Sequence, residues 1–106
     1  MVRPRKRRRI QQIPNTTHFK PRGLPMRGLQ EVNLTYEEIE AIRLSDLEGI
    51  PQKEAAERMN ISQSTVHRVL VSGRKKVADA LFNGKAIQIK GGNFVVRRGR
   101  HRGRNI

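Results

Sequence analysis

The stretch Met59-Asn60-Ile61-Ser62-Gln63-Ser64-Thr65-Val66-His67-Arg68 decides the fold, because a helix, a turn and a second helix can be read through it position by position. Just upstream, Gln52 to Met59 reads as one short helix. Ala55, Ala56 and Met59 recur at i, i+1 and i+4, and Gln52, Lys53, Glu54, Glu57 and Arg58 cover the other side. Ala56 is small where two helices must cross closely. Asn60 falls at a turn that wants a positive φ, which Asn accepts more readily than any residue but Gly. Ile61 plugs the turn from inside. Ser62 is placed to cap the second helix, its hydroxyl accepting a backbone N–H of the first turn. That helix runs on through Val66, Val69, Leu70, Gly73, Val77 and Leu81, which form one expected buried stripe. The pattern predicts a mainly α fold: a helix-turn-helix in a bundle of three helices, with a C-terminal β-hairpin and basic, disordered ends.

Subtracting the stripe leaves Gln63, Ser64, His67, Arg68 and Val71 pointing outward near the start of the second helix. In a helix-turn-helix these positions reach base edges in the major groove, while the first helix crosses the backbone. Gln pairs bidentately with adenine, Arg with guanine, and Ser with either. Gln63, Ser64, His67 and Arg68 are therefore the expected base contacts. Ser62, Thr65, Arg74, Lys75 and Lys76 are expected on phosphates, the last three because they lie beyond the turn that enters the groove. The same pattern also fits a plain helical hairpin with a polar surface. The coincidence of the Ala, turn-Asn, Ile and Ser spacing with a basic second helix favours duplex DNA.

Charge is set out in blocks. The net charge is +14 over 106 residues; residues 1–27 hold nine Lys or Arg and no acid, residues 28–60 three basic and eight acidic side chains, and residues 61–106 eleven basic and one acidic. The second helix lies in a positive half, and the acidic helices before it are expected to face away from a polyanion. This sign of charge points to nucleic acid first and to an anionic membrane surface second. No apolar run approaches membrane-spanning length, and the basic start lacks the apolar segment of a secretory signal, so no membrane partner is expected and the cytoplasm, on the nucleoid, is the expected location. The absence of cysteine excludes disulfides and thiolate chemistry. His18, His67 and His101 lie in three separate segments without a paired ligand spacing, and Ser62 and Ser64 have no nucleophile-elbow context. No metal, cofactor or enzymatic activity is expected.

Taken in order, residues 1–13 read as a basic N-terminal arm carrying Arg3, Arg5, Lys6, Arg7, Arg8 and Arg9, with Ile10 to Ile13 a candidate short strand. Such an arm can lie along phosphates or enter a minor groove, or simply be solvated. Residues 14–33 read as a Pro/Gly loop that Phe19, Leu24, Met26 and Leu29 pin onto the helices. Residues 34–82 form the helix-turn-helix domain. Its first helix starts at the capping box Thr35-x-x-Glu38, stapled by Leu34 and Ile39, and runs to about Leu47, with Ile39, Ile42 and Leu47 buried. Glu37, Glu38 and Glu40 are read as acids favoured by the helix dipole; an acid–base pair is the weaker alternative, since nothing nearby looks catalytic. Gly49 closes this helix, and Pro51 starts the next. Residues 83–96 follow the Asn83-Gly84 stop as a β-hairpin, Lys85 to Lys90 and Phe94 to Val96 around Gly91-Gly92-Asn93. Residues 97–106 are an Arg-rich tail with Arg97, Arg98, Arg100, Arg102 and Arg104.

Phe19-Lys20-Pro21-x-Gly23, Glu40-Ala41-x-Arg43-Leu44-x-Asp46-Leu47-Glu48-Gly49, Glu54-Ala55-Ala56-Glu57-Arg58-Met59 and Gly84-Lys85-Ala86 resemble an uncharacterised prokaryotic family of predicted DNA-binding proteins, the domain of unknown function one hundred and thirty-four. The resemblance covers nearly everything from Arg3 to Val96. Within it, Asp46 to Lys76 is similar to region four of sigma factors, whose helix-turn-helix reads promoter elements and can touch RNA polymerase. A prokaryotic transcriptional role is what the resemblance implies. The chain departs from the family pattern at Arg7, where cysteine is frequent, and at Pro51, Asn60, Val66, His67 and Gly73, so neither a thiol-based role nor an inherited target site carries over.

Three functions compete. The first is a sequence-specific regulator on double-stranded DNA, expected to use its arms and a homodimer together because a lone helix-turn-helix has a small footprint. The second is a sigma-like factor associated with RNA polymerase, in which the acidic helix Glu37 to Glu48 meets a basic partner. The third is an RNA-binding protein acting through its Arg-rich ends; only Phe19, Tyr36, Phe82 and Phe94 are aromatic, and they form no evident stacking platform.

Overall fold

Side chains that close the helix ends set the framework. In the computed structural model, which describes residues 7–25 and 27–96, Thr35 caps helix α1 (Tyr36–Ile42) by the expected reciprocal pair. Its hydroxyl accepts the Glu38 N–H at 3.2 Å, and the Glu38 carboxylate accepts the Thr35 N–H at 2.9 Å. The chain continues into a π-helical turn, Arg43–Leu47, closed by a 2.9 Å bond from the Glu48 N–H to the Arg43 carbonyl. An i→i−5 turn advances each residue less far around the axis than an α-turn does. Leu47, expected inside, is consequently turned out and is 79% exposed, while Ala41 and Leu44 are fully buried and Ile39 and Ile42 half-buried.

Helices α2 (Gln52–Met59) and α3 (Gln63–Asn83) follow, joined through Asn60. Asn60 has φ 58° and ψ 45° and is the only positive-φ residue other than glycine among the described residues. Ser62 caps α3, accepting the Thr65 N–H at 3.1 Å. Val66, Val69, Leu70 and Gly73 are buried as expected and Val77 is half-buried, but Leu81 is 77% exposed and Ala80 takes its place. The 3.6-residue period carries the inward face to position 80, and this last part of α3 leaves the helices to pack on the strands. At Gly73 an added Cβ would lie 3.0 Å from Ile42 Cδ1 and 3.2 Å from Glu38 Cβ, so α1 and α3 cross closely there and a side chain would fit only if its neighbours shifted by a few tenths of an ångström.

Among the described residues, five short strands clasp this bundle. β1 (Arg8–Ile10) pairs in parallel with β5 (Phe94–Val96), Arg8 opposite Phe94. β4 (Ala86–Ile89) lies between β2 (His18–Phe19), antiparallel with His18 opposite Gln88, and β3 (Glu31–Leu34), parallel with Leu34 opposite Ile89. Several expectations are corrected here. The first strand is Arg8–Ile10 and not Ile10 to Ile13, so the end of the N-terminal arm is laddered. The 14–33 loop contains β2 and most of β3. Phe19 and Leu24, expected as its pins, are 52% and 47% exposed, Leu29 is half-buried, and Met26 lies outside the described residues. The C-terminal strand, glycine turn and strand are present, but the two strands ladder to different partners, β4 to β2 and β3, β5 to β1.

That turn is fastened to the start of α1. The Gly91 carbonyl accepts the Tyr36 N–H at 3.1 Å, the Asn93 N–H donates to Glu37 Oε1, and the Tyr36 and Phe94 rings stand 4.9 Å apart. Gly92, at φ 108°, tolerates no Cβ, which would lie 2.9 Å from Glu37 Oε1 and 3.0 Å from Thr35 Cβ. One core runs through Ala41, Leu44, Ala55, Ala56, Met59, Val66, Val69 and Leu70. Ile10, Leu34, Ala86 and Ile89 are buried with the strands.

Candidate nucleic-acid interface

The exposed face of α3 is built by what lies beneath it. Val66, Val69 and Leu70 hold one side of the helix in the core, and the left-handed turn at Asn60 fixes α2 against it, so Gln63, Ser64, His67, Arg68 and Val71 are all exposed on the opposite side. Their spacing of one, four, five and eight residues puts them on a single stripe over two turns. Ser62 does more than cap. Its Oγ lies 2.8 Å from Thr65 Oγ1 and 3.1 Å from Ser64 Oγ, and Arg68 Nη2 reaches Thr65 Oγ1 at 3.4 Å, which draws the first turn into one hydroxyl network. Gln63, Ser64, His67 and Arg68 line a shallow, open depression with Gln52, the first residue of α2. Gln52 is a residue that sequence reasoning placed only on a polar helix face. The signal was available: the start of the first helix in such a pair faces the start of the second.

The expected phosphate contacts are placed less uniformly. Lys75 is exposed and makes no salt bridge among the described residues. Arg74 is held by Asp46, its Nη2 at 2.6 Å from Oδ1 and its Nε at 3.1 Å from Oδ2, with Ser45 Oγ at 3.4 Å. The guanidinium hydrogen bond pulls the Asp46 carboxyl below its ordinary value and raises Arg74 in turn. Lys76 is drawn off the face: its Nζ lies 2.8 Å from Glu38 Oε1, on a carboxylate whose side chain is 8% exposed. Burial alone would push the Glu38 carboxyl up. Hydrogen bonds from Lys76, from Ser72 at 2.6 Å and from the Thr35 N–H outweigh it and hold the group below its ordinary range.

The glutamates of α1, read from sequence as dipole-favoured acids, are buried and serve as internal fasteners. Glu37 lies 3.4 Å from Arg8 of β1. Glu40, 2% exposed, accepts the Gln11 N–H at 2.9 Å and pairs with Arg43 at 2.9 Å. Arg43 also pairs with Glu48. Burial works against the Arg43 charge, but its bonds to Glu40 and Glu48 raise its pKa overall. These acids therefore stand against β1 and α3, with their charge paired inside the fold. Of the basic arms, Arg8 is buried in β1, whereas Arg7 and Arg9 are exposed. Arg3, Arg5, Lys6, Arg97, Arg98, Arg100, Arg102 and Arg104 lie outside the described residues.

Among the described residues no group of three or more His, Asp or Glu side chains could hold a metal ion, and no helix is long and apolar enough to cross a membrane. By architecture the described residues form three α-helices clasped by short strands, with one exposed polar face on the long helix α3. The chain belongs to the family described as protein of unknown function DUF134, which matches residues 1–97. It is 58% identical over 96 residues to a UPF0251 protein of Thermoanaerobacter pseudethanolicus, covering 91% of this chain and 81% of that one. It is 53% identical over 93 residues to a UPF0251 protein of Methanosarcina acetivorans, covering 88% and 83%. No solved structure matches the chain.

Proposed function

We propose that the protein binds duplex DNA in a sequence-specific manner, as a transcription regulator, through a helix-turn-helix formed by α2 and α3. The observation that carries this reading is the stripe Gln63, Ser64, His67 and Arg68: four side chains able to contact base edges, all exposed, on the first two turns of a capped helix whose other side is buried. The positive φ at Asn60 and the Ser62 cap support it, since both fix the angle at which α3 leaves α2. Gln52 beside the stripe supports it too, because the start of the first helix is where the sugar-phosphate backbone passes. Arg7, Arg9, Lys53 and Lys75 are exposed cations available for phosphates. Arg74 joins them only by leaving Asp46.

The reading in which an acidic α1 meets RNA polymerase has less support. Glu37, Glu38 and Glu40 are buried and engaged, and Asp46 and Glu48 are each held by an arginine. The test is selection of bound fragments from a random duplex pool with the full chain. A single enriched motif, protected on its major-groove base edges, is the expected result. Equal recovery of all sequences, or preferential capture of single-stranded RNA, would overturn the proposal.

A further inference from the structure

Two cations of α3 lie beyond the proposed reading stripe and are held by acids of α1, and the two pairs are built differently. Lys76 meets Glu38 on a buried carboxylate that also accepts from Ser72 and from the Thr35 N–H, a fixed tie inside the fold. Arg74 meets Asp46 in the open, with the two side chains 48% and 43% exposed. The geometry of this second pair is set by α1. The close crossing at Gly73 brings the next residue of α3 against the π-turn Arg43–Leu47, and that turn presents Ser45 and Asp46 together. An arginine has five N–H donors, and α1 takes three from Arg74: Nε donates to Asp46 Oδ2 at 3.1 Å, and Nη2 to Asp46 Oδ1 at 2.6 Å and to Ser45 Oγ at 3.4 Å.

We infer that Asp46 restrains the affinity of the chain for duplex DNA by standing in for a phosphate on Arg74, so that Arg74 reaches the DNA backbone only by exchanging one anion for another. The inference rests on the DNA reading above. A guanidinium grips carboxylate and phosphate with the same two-pronged edge, and in Arg74 the edge formed by Nε and Nη2 is the one that Asp46 occupies. Position makes the exchange possible. Arg74 comes about three full turns after Gln63, so it stands on the same side of α3 roughly 16 Å further along the axis, where a helix whose first turns lie in the major groove passes the backbone. Exposure makes the exchange reversible. An ion pair in water is worth no more than about a fivefold factor in an equilibrium, which a nearby phosphate matches, whereas burial and two further hydrogen bonds keep Glu38 and Lys76 joined.

A phosphate is present at every sequence, so the restraint falls on selected and random duplex alike. Asp46 therefore sets how tightly the chain holds DNA, while the stripe sets which sequence it prefers. In a chain of net charge +14 such a restraint opposes the indiscriminate attraction that so many cations give. It also speeds release, because the carboxylate recaptures the guanidinium as it leaves the phosphate.

The test is a double-mutant cycle in the full chain, with Asp46→Asn, Arg74→Ala and the two combined, each measured on the selected site and on random duplex. Asp46→Asn keeps the shape of the side chain and removes its charge, and unchanged helical circular dichroism is expected because the pair is exposed. It should tighten binding about two- to fivefold on both duplexes, and the gain should vanish in the Arg74→Ala background. An equal gain in that background would reduce Asp46 to a bare negative charge, and a loss of affinity would make it a partner that helps Arg74 reach the phosphate; either result overturns the inference. The side-chain Nε–Hε signal of Arg74 in NMR spectra gives a second readout. It should shift on Asp46→Asn, and shift in the wild type when the selected duplex is added. A signal that stays in place on the duplex would show that the pair is never exchanged, and would overturn the inference as well. A wild type that prefers one site while Asp46→Asn changes nothing removes the restraint and keeps the DNA reading; a wild type that binds no duplex removes both.

Discussion

Asn60 shows how one residue sets the geometry of the whole. Its φ of 58° lies in the left-handed region, where Gly is unstrained, Asn is tolerated and a β-branched side chain is not. Asn60→Gly is expected to leave stability unchanged or slightly raised, whereas Asn60→Val should cost about 1–3 kcal/mol. Denaturant melts of both variants measure this, and equal midpoints for wild type and Val would contradict the strain. Asn60, Ser62, Thr35 and Glu38 were legible in the sequence because turns and caps are local: the residue that makes the bond stands within three positions of the one that receives it. Leu47 and Leu81 were not. A π-turn and a helix that changes its packing partner both rotate the periodicity that a straight α-helix would keep, and nothing adjacent in sequence announces either.

At the level of elements, α1 is the hub, and its acids are the bolts. Glu37 and Glu40 join it to β1 and the segment after it, and Glu38 joins it to α3. Because the folded-state pKa of Glu38 lies below its ordinary value of 4.5, its stabilising contribution is complete above that pH and is lost as pH falls through the lower folded value. Glu38→Gln should therefore lower stability at neutral pH and make the acid limb of a stability–pH curve shallower. Urea melts at a series of pH values between neutrality and the acid limit check both effects; an acid limb as steep as wild type would contradict them. Asp46 and Asp79 are lowered too, but they are more exposed, and solvent screening leaves them little weight. The strand pairings escaped the sequence because β3 pairs with β4 across more than fifty residues and β1 with β5 across more than eighty. Alternation shows that a segment is a strand, and only tertiary packing chooses its partner.

For the whole molecule, the question is how a +14 chain divides its charge between folding and binding. Arg8, Arg43, Lys76 and Lys85 are engaged by internal acids. The side chains of Arg3, Arg5, Lys6 and Arg97 to Arg104 lie outside the described residues, and Arg8 sets where the chain can be cut. Trimming residues 1–6 and 97–106 keeps β1, whereas a cut after Arg9 would remove most of it. The trimmed chain should bind every duplex more weakly while the preferred site keeps its rank, and the log–log salt dependence should flatten by about 0.9 for each phosphate that the arms no longer neutralise. A salt titration of both forms on specific and random duplex measures this, and a trimmed chain without the preference would place recognition in the arms. The most direct test of the central claim is the affinity of Arg68→Ala, Gln63→Ala and Lys75→Ala, each on the selected site and on random duplex. Base contacts predict that the Arg68 and Gln63 changes cost about 1–3 kcal/mol on the selected site and little on random DNA, while Lys75→Ala, the loss of an exposed phosphate contact, weakens both alike. If Arg68→Ala and Gln63→Ala weakened random-sequence binding as much as specific binding, the exposed stripe of α3 would not be the surface that reads DNA.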